Sequence, residues 1–199
     1  MVSCVLLSAG LSRRFGSPKA LVQWDGQTLI ERLQKELVAS RVDEVIVVLG
    51  ADEQSIKPHL LKHKKVISVY NKDYNLGQTS SFQAGLRAVS PETRGILLQP
   101  IDVPFVRKAT IDDLIDSFLP QPPPILIPSY QGRKGHPPVF DANLWGALLG
   151  LAPSVGINEF IREREKSVVY HAVHDEGVAL TFNTPEEWNI VQARITRRA

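Results

Sequence analysis

Short apolar runs alternate with amphipathic stretches along the chain. Apolar runs predict strands at 2–7, 45–49, 66–70, 95–99, 125–128, 167–171 and 178–182. Helical spacing of apolar residues predicts helices at 29–39, 53–61, 110–118, 141–151 and 156–164, with two more after the polar segment 71–78 and from Pro185. This alternation predicts an α/β, Rossmann-like domain with a mostly parallel sheet and helices on both faces.

Local signals define several element ends. Asp25 and Gly26 predict a turn, and Thr28 is typical of the residue that caps a helix. Pro58 is expected to shorten or kink the helix at 53–61. One of three hydroxyl residues is expected to cap the helix after the segment 71–78: Thr79, Ser80 or Ser81. Asp112 and Asp113 are expected in the first turn of the helix at 110–118, where they stabilise its dipole.

Composition favours one domain and excludes several classes of partner. The 199 residues are 43% hydrophobic and carry a formal charge of +2, so we expect residues 1–199 to form a single domain. A balanced charge argues against nucleic-acid and membrane partners. Cys4 is the only cysteine and lies in an apolar run, which favours a small buried core residue. No signal peptide or bilayer-length apolar run is seen, and we expect a cytoplasmic protein.

The loop after the first apolar run carries small residues and cations. Gly10 and Gly16 allow close backbone approach, and Arg14 and Lys19 supply positive charge. Such a loop is typical of anion binding, and a polyphosphate suits this pattern. The spacing matches neither the dinucleotide fingerprint nor the P-loop. An ordinary basic surface loop remains an alternative on these residues alone.

The segment 8–19 resembles the L-A-A-G-x-S-x-R-M-G-x-x-K signature of nucleotidyltransferases, most closely the molybdenum cofactor cytidylyltransferase-like group with its glycosyltransferase-A-like fold. The resemblance implies catalytic roles for Arg14 and Lys19. It also implies nucleotide binding by Ser8, Ala9, Gly10, Ser12, Arg14 and Lys19.

The polar segment that follows the third predicted strand resembles the family's second motif. Asn71, Tyr74, Gly77, Ser81 and Gly85 match that motif, and the resemblance implies nucleotide binding by Asn71, Gly77 and Ser81. A capped helix after a polar loop accounts equally well for the residues themselves.

Asp102 follows the fourth predicted strand. A carboxylate past the carboxyl end of a buried strand lies on the same edge as the first loop, where α/β sheets bind ligands. It can hold Mg²⁺ together with substrate phosphates, or it can be a turn or cap residue. Asp102 also matches the acidic position of the family's D-x-P motif, and the resemblance implies a catalytic, Mg²⁺-binding role.

The segment 130–140 predicts a small hairpin with a cationic, glycine-bearing tip. Gly135, His136 and Pro137 resemble the family's G-H-P motif, which implies that this hairpin lies over the acceptor site and that these residues bind the acceptor. His136 can act as an acid or base or as a structural donor. We favour substrate positioning, because a phosphate-monoester acceptor is already ionised near neutral pH.

Two segments depart from the family pattern. The region 151–158 lacks the acid and the arginine of the family's G-D-x-G-A-R element. The family also carries a C-terminal D-x-D-T-P, whose last acid the resemblance implies is a second metal contact. Asn183 replaces that acid here and offers Mg²⁺ an oxygen but no charge. Both losses fall on the acceptor side, so the acceptor is the least defined substrate.

The resemblance implies transfer of a nucleoside monophosphate from a nucleoside triphosphate, with CTP favoured, to a phosphorylated small-molecule acceptor, with molybdopterin favoured. Pyrophosphate is the other product, and Mg²⁺ the expected cofactor. Two alternatives stay open: a sugar- or polyol-phosphate nucleotidyltransferase, and a nucleotide- or cofactor-binding accessory protein with little catalysis.

Overall fold

An eight-stranded sheet forms the centre of the computed structural model, which describes residues 1–196. Its strands are β1 (Val2–Ser8), β4 (Glu44–Leu49), β5 (Val66–Tyr70), β6 (Gly95–Pro100), β7 (Ile125–Tyr130), β8 (Arg133–Lys134), β9 (Val139–Asp141) and β10 (Val168–Ala172). A separate two-stranded hairpin pairs β2 (Gln23–Trp24) with β3 (Gln27–Thr28) around the predicted turn. The order in the main sheet is β10-β7-β9-β6-β1-β4-β5, with β8 paired to β7.

The predicted mostly parallel sheet is confirmed, with two short strands, β8 and β9, running the other way. β1 lies between β4 and β6 and is parallel to both, with Val5 opposite Ile46 and Leu98. β9 is antiparallel to both of its neighbours, β6 and β7. Its residues fall at the end of the segment interpreted as a hairpin, and the sequence did not reveal that they enter the main sheet.

Helices cover both faces of the sheet, as predicted. They are α1 (Leu29–Ala39), α2 (Glu53–Ile56), α3 (Gln78–Leu86), α4 (Lys108–Phe118), α5 (Trp145–Leu149), α6 (Ile157–Glu163) and α7 (Pro185–Thr196). Cys4 and Leu6 of β1 face the core that contains α1 and α4, whereas Val5 and Leu7 face the core that contains α3 and α6. Alternate residues of one strand point to opposite faces, so β1 contributes to both cores. Burial raises the pKa of the Cys4 thiol far above its usual range.

Three predicted elements differ in the structure. The helix predicted at 141–151 is shorter, because Asp141 ends β9 and a 3-10 turn at Ala142–Leu144 precedes α5. The strand predicted at 178–182 is absent, and Glu176–Ala179 forms a 3-10 turn instead. The Asp175 carboxylate accepts from the backbone N–H of Gly177, and Gly177 lies so close to the Phe105 carbonyl that no side chain fits. The helix predicted at 53–61 ends at Ile56 and continues as a 3-10 turn that contains Pro58.

The helix caps were predicted with mixed success. Thr28 caps α1 in a reciprocal arrangement with Glu31, as the sequence indicates. The cap of α3 is instead Gly77, with a φ of 108°, and the predicted Thr79, Ser80 and Ser81 lie inside the first turn. α4 begins two residues earlier than predicted, so Asp112 and Asp113 lie beyond its first turn. The basic segment 194–198, which is typical of the C-terminal end of a helix, begins with Arg194 in the last turn of α7. Residues 197–199 lie outside the described residues.

Candidate active site

The loop after β1 and the segment after β6 meet at the carboxyl edge of the sheet. Between them lies a cavity of about 390 Å³, which is lined by Asp102 and Asn183 among others. The cavity is lined by eight of the nine residues predicted to bind nucleotide: Ser8, Ala9, Gly10, Ser12, Arg14, Lys19, Gly77 and Ser81. The sequence therefore located this cavity, while the roles of its residues stay predictions.

The first loop folds back on itself around Ser12. The Ser12 carbonyl accepts from the backbone N–H groups of Phe15 at 2.9 Å and Gly16 at 3.0 Å, and the Ser12 hydroxyl accepts from that of Lys19 at 3.3 Å. Ser12 and Gly16 both have positive φ, at 48° and 84°. A Cβ built on Gly10 would meet no atom within 4 Å, so the missing side chain leaves open space beside the backbone. A ligand can approach the main chain there.

Lys19 is held by residues far away in sequence. Its Nζ donates to Phe182 O at 2.8 Å, to Asn183 Oδ1 at 3.1 Å and to Asp102 Oδ2 at 3.2 Å. The Lys19 side chain is 10% exposed, against 28% for Asp102. The ammonium therefore lies at the cavity wall and joins the first loop to the segment after β6 and to the C-terminal segment.

Asn183, which the sequence placed on the acceptor side, lines the first cavity and not the second, so that expectation is wrong. Two cations of the first loop contact its side chain. Its Oδ1 accepts from Arg14 Nη2 at 3.0 Å as well as from Lys19. Arg13 also lines the cavity. Three cations thus surround a cavity with one carboxylate, Asp102, and this arrangement favours an anionic ligand.

The oxygens of Asp102 and Asn183 both lie within 3.2 Å of the same Lys19 nitrogen. Among residues 1–196, no cluster of three or more histidine, cysteine, aspartate or glutamate side chains is arranged to hold a metal ion. One carboxylate and one amide oxygen fit Mg²⁺ only in the mode that leaves positions to substrate phosphates and water. Asp102 and Asn183 can therefore bind a metal ion whose other ligands come from substrate and water, but they cannot form a metal site from protein ligands alone.

Asn71 lies outside the cavity lining. Its side chain is buried and donates to Ser80 Oγ at 3.0 Å and to Ser81 Oγ at 3.1 Å, while its Oδ1 accepts from the backbone of Asp73. Asn71 therefore positions the start of α3, and Tyr74 and Gln78 line the cavity nearby. A Cβ on Gly85 would lie 2.3 Å from Val5 Cγ1, so this glycine serves close packing of α3 on β1.

A second cavity, of about 500 Å³, lies on the other side of Asp102. Both cavities are lined by Gln78, Pro100 and Asp102. Gly135 and His136 line the second cavity, as expected for an acceptor site, whereas Pro137 does not and its neighbour Pro138 does. The predicted hairpin is formed by β7 and β8, with its turn at Gln131 and Gly132.

His136 presents an unpartnered nitrogen in this second cavity. Its Nδ1 is enclosed and has no hydrogen-bond partner within the described part of the chain. Burial lowers the pKa of the imidazole, and the nearby Asp102 carboxylate offsets this only in part. The ring is therefore neutral at pH 7, which favours a positioning role through a hydrogen bond.

Sequence reasoning missed several residues of both cavities. Lys134 and Glu165 line the second cavity and form an ion pair at 3.2 Å, and Tyr170 donates to the same carboxylate at 2.6 Å. The Phe182 carbonyl accepts a hydrogen bond from Lys19 Nζ. The sequence predicted a strand at this segment and gave no sign of that contact. Backbone acceptors and exposed ion pairs leave no local sequence signal, so neither was foreseeable.

A cluster of aromatic side chains packs against the first loop and connects it to α7. Phe15 of the loop packs edge-on against Phe182 with ring centres 5.4 Å apart, and Phe182 contacts Trp188 of α7 at 4.7 Å. Trp24 and Phe105 complete the cluster. The loop is therefore fixed to the C-terminal helix by packing as well as by Lys19.

Comparison with known proteins extends these observations. Residues 4–168 match the family described as the MobA-like NTP transferase domain. The matched region contains the first loop, Asp102 and the hairpin. Phe182 and Asn183 lie beyond it, so the C-terminal side of the Lys19 site falls outside the family match.

Three curated relatives carry different names. The nicotine blue oxidoreductase of Paenarthrobacter nicotinovorans is 30% identical over 94% of both chains. A probable molybdenum cofactor guanylyltransferase of Bacillus cytotoxicus is 29% identical over 67% of this chain and 64% of its own length. The molybdenum cofactor cytidylyltransferase of Escherichia coli is 25% identical over 68% of both chains. The match to the guanylyltransferase thus spans slightly less than two thirds of that relative.

Solved structures share the whole fold. Rv0371c of Mycobacterium tuberculosis superposes with a TM-score of 0.83 and 26% identity over 96% of this chain and 97% of its own. A manganese complex of Rv0371c gives a TM-score of 0.80 and 24% identity over 96% and 98% of the two chains. With its fold, its first loop and most of its length in agreement, the chain belongs to the family of MobA-like NTP transferase domains.

Proposed function

We propose that this nucleotidyltransferase moves a nucleoside monophosphate from a nucleoside triphosphate to a phosphorylated acceptor and releases pyrophosphate. One observation carries the proposal: two cavities of sufficient size for small molecules meet at a single carboxylate, Asp102. A group-transfer enzyme needs two substrates in contact at one reacting centre.

The first cavity suits the triphosphate. Arg13, Arg14 and Lys19 offset its negative charge, and the open space at Gly10 admits a ligand against the backbone. Asp102 and Asn183 would hold Mg²⁺ between them and the phosphates, and the ion would neutralise charge that develops during transfer.

The second cavity suits the acceptor. A phosphate oxygen of the acceptor attacks the α-phosphorus, the bond to the bridging oxygen of the β-phosphate breaks, and pyrophosphate leaves with that electron pair. No protein group needs to remove a proton, because the acceptor phosphate is ionised near neutral pH. The residues act by positioning and by charge, as in other phosphoryl transfers.

Relatives support a molybdopterin-like acceptor, since two of them are named molybdenum cofactor guanylyl- or cytidylyltransferase. We favour CTP on the resemblance of the first loop, with GTP as the alternative. A sugar or polyol phosphate is the alternative acceptor.

The test is pyrophosphate release with Mg²⁺, in which each of the four nucleoside triphosphates is offered with molybdopterin or with a panel of sugar and polyol phosphates. Release that requires one nucleotide and one acceptor is the expected result. No release with any pair, while a thermal shift shows nucleotide binding, would favour the accessory-protein alternative over the enzyme.

A second candidate function comes from the oxidoreductase relative, which matches 94% of this chain. It is reduction of a nicotine blue-like dye by an external electron donor, which the test supplies as a reduced nicotinamide dinucleotide. Loss of dye colour that depends on the protein and the reductant would support it, and unchanged dye would exclude it for this reductant.

A further inference from the structure

The Lys19 ammonium is fully satisfied without any ligand. An ammonium group has three N–H donors. Lys19 Nζ has three acceptors within 3.2 Å, from Asp102, Phe182 and Asn183. The side chain is largely buried, so few water molecules compete for these bonds. Lys19 therefore lies between the oxygens that a metal ion would use.

Asn183 is equally occupied. Its carbonyl oxygen has two lone pairs and accepts from two cationic donors, Arg14 Nη2 and Lys19 Nζ. The amide is neutral, so the only negative charge among these four side chains is that of Asp102. Arg13 lines the same cavity, and the Glu187 carboxylate accepts from the Asn183 backbone N–H, so the charges of these two further side chains cancel and the net charge stays at one positive.

A divalent cation meets two obstacles here before a nucleotide binds. It would have to displace Lys19 from Asp102, and it would enter a group whose net charge is already positive. Like charges at such distances repel strongly when the groups are partly buried. A carboxylate in place of Asn183 would balance the charge and add an anionic ligand.

We propose that Lys19 is the counter-ion of Asp102 in the free protein, and that the neutral side chain of Asn183 preserves this ion pair. A divalent metal therefore binds only together with the nucleoside triphosphate. The inference deepens the proposed function, because it states how the metal enters the same site. The phosphates bring the negative charge that the protein lacks, and they offer Lys19 and Arg14 new partners. Asn183 thus makes metal binding dependent on nucleotide.

Binding of Mn²⁺ tests this directly, with free Mn²⁺ measured by its paramagnetic resonance signal. The wild-type protein alone is expected to bind Mn²⁺ weakly. At least one of the α,β-methylene analogues of CTP and GTP is expected to raise the Mn²⁺ affinity about tenfold, after correction for Mn²⁺ bound by the free analogue. This comparison needs no variant. Equal Mn²⁺ affinity with and without both analogues would overturn the proposal.

Two substitutions sharpen the test. Asn183→Asp adds the missing charge, and Lys19→Met removes the competing ammonium; each is expected to raise the Mn²⁺ affinity of the protein alone about tenfold. Gln121→Glu is the matched control, because it adds the same charge in the exposed loop before β7 and is expected to change nothing. Wild-type affinity in both site variants, with a normal melting temperature, would overturn the proposal.

The outcome is separable from that of the proposed function. The Mn²⁺ measurements involve neither acceptor nor turnover. If no pyrophosphate is released with any acceptor while the Mn²⁺ affinities follow the expected order, the proposed reaction fails and the metal inference stands. If pyrophosphate is released while the wild-type protein binds Mn²⁺ as tightly as the Asn183→Asp variant, the proposed reaction stands and the metal inference fails.

Discussion

At the level of single residues, Asp102 lies where the two cavities meet, and Arg14 lies at the cationic side of the first one. We predict that Asp102→Ala and Arg14→Ala each lower the rate of pyrophosphate release by roughly 10²–10³-fold, as for loss of one charge-stabilising group. The reason is lost charge compensation at the transferred phosphate, and steady-state kinetics provide the measurement.

The matched control is Asp116→Ala, which also removes one carboxylate. Asp116 is exposed and pairs with Arg41, away from both cavities. It should keep the wild-type rate. Wild-type turnover in both site variants would exclude the proposed mechanism.

The buried hydroxyl of Ser8, in the central strand β1, destabilises the folded protein. The hydroxyl is enclosed and finds no partner in the structure of residues 1–196. An unsatisfied buried hydroxyl destabilises the folded state by about 1–3 kcal/mol. We predict that Ser8→Ala raises the free energy of unfolding by about 1 kcal/mol in urea denaturation, in the absence of ligand.

Ser3 provides the control on the same strand. It is also buried, but its hydroxyl bonds to Glu44 at 2.6 Å and to Thr93 at 2.5 Å. Ser3→Ala should therefore destabilise the protein. If Ser8→Ala and Ser3→Ala lower the free energy of unfolding equally, the Ser8 hydroxyl has a hydrogen-bond partner and the prediction is wrong.

His136 makes stability depend on pH. Because burial lowers the pKa of its imidazole, the unfolded chain binds a proton that the folded protein does not, between the folded pKa and about 6.5. Stability is therefore lost as the pH falls below about 6.5. We predict that His136→Gln loses less stability than wild type between pH 7 and pH 5, in parallel urea titrations. A larger loss in the variant would contradict this assignment.

At the level of elements, the start of α1 is determined by a local capping motif in its sequence. Thr28 Oγ1 accepts from the Glu31 N–H, and the Glu31 carboxylate accepts from the Thr28 N–H at 2.8 Å. We predict that Thr28→Ala lowers the free energy of unfolding by about 1 kcal/mol. Thr196→Ala, at the exposed end of α7, removes a hydroxyl that only reaches back to Gln192 and should cost far less.

Elements were predictable where the signal is local. The Thr28 cap and the start of α7 at Pro185 follow from neighbouring residues, and both are confirmed. The segment 178–182 has the apolar pattern of a strand, but the Asp175 carboxylate and the tight approach of Gly177 to Phe105 fold it into a turn. Those contacts are tertiary, so periodicity could not reveal them.

At the level of the whole molecule, the sequence predicted the sheet and the position of the first cavity. It did not predict that β9 enters the sheet antiparallel, because strand pairing depends on distant partners. It identified Lys19 and Asn183 separately, but not the contact between them, which spans 164 positions. The organisation of residues 1–199 as one domain stays a prediction. No helix within residues 1–196 is long and apolar enough to cross a membrane.

The aromatic cluster beneath the first loop gives the protein an optical reporter of its own. Two of the three tryptophans, Trp24 and Trp188, belong to this cluster, and Phe182 links Trp188 to both Phe15 and the Lys19 ammonium. A nucleotide that draws Lys19 away from Phe182 alters the electric field around the Trp188 indole. We therefore predict a change in tryptophan emission on nucleotide binding that is kept in Trp145→Phe and lost in Trp188→Phe, so that the binding order of nucleotide and metal can be followed by fluorescence without any label.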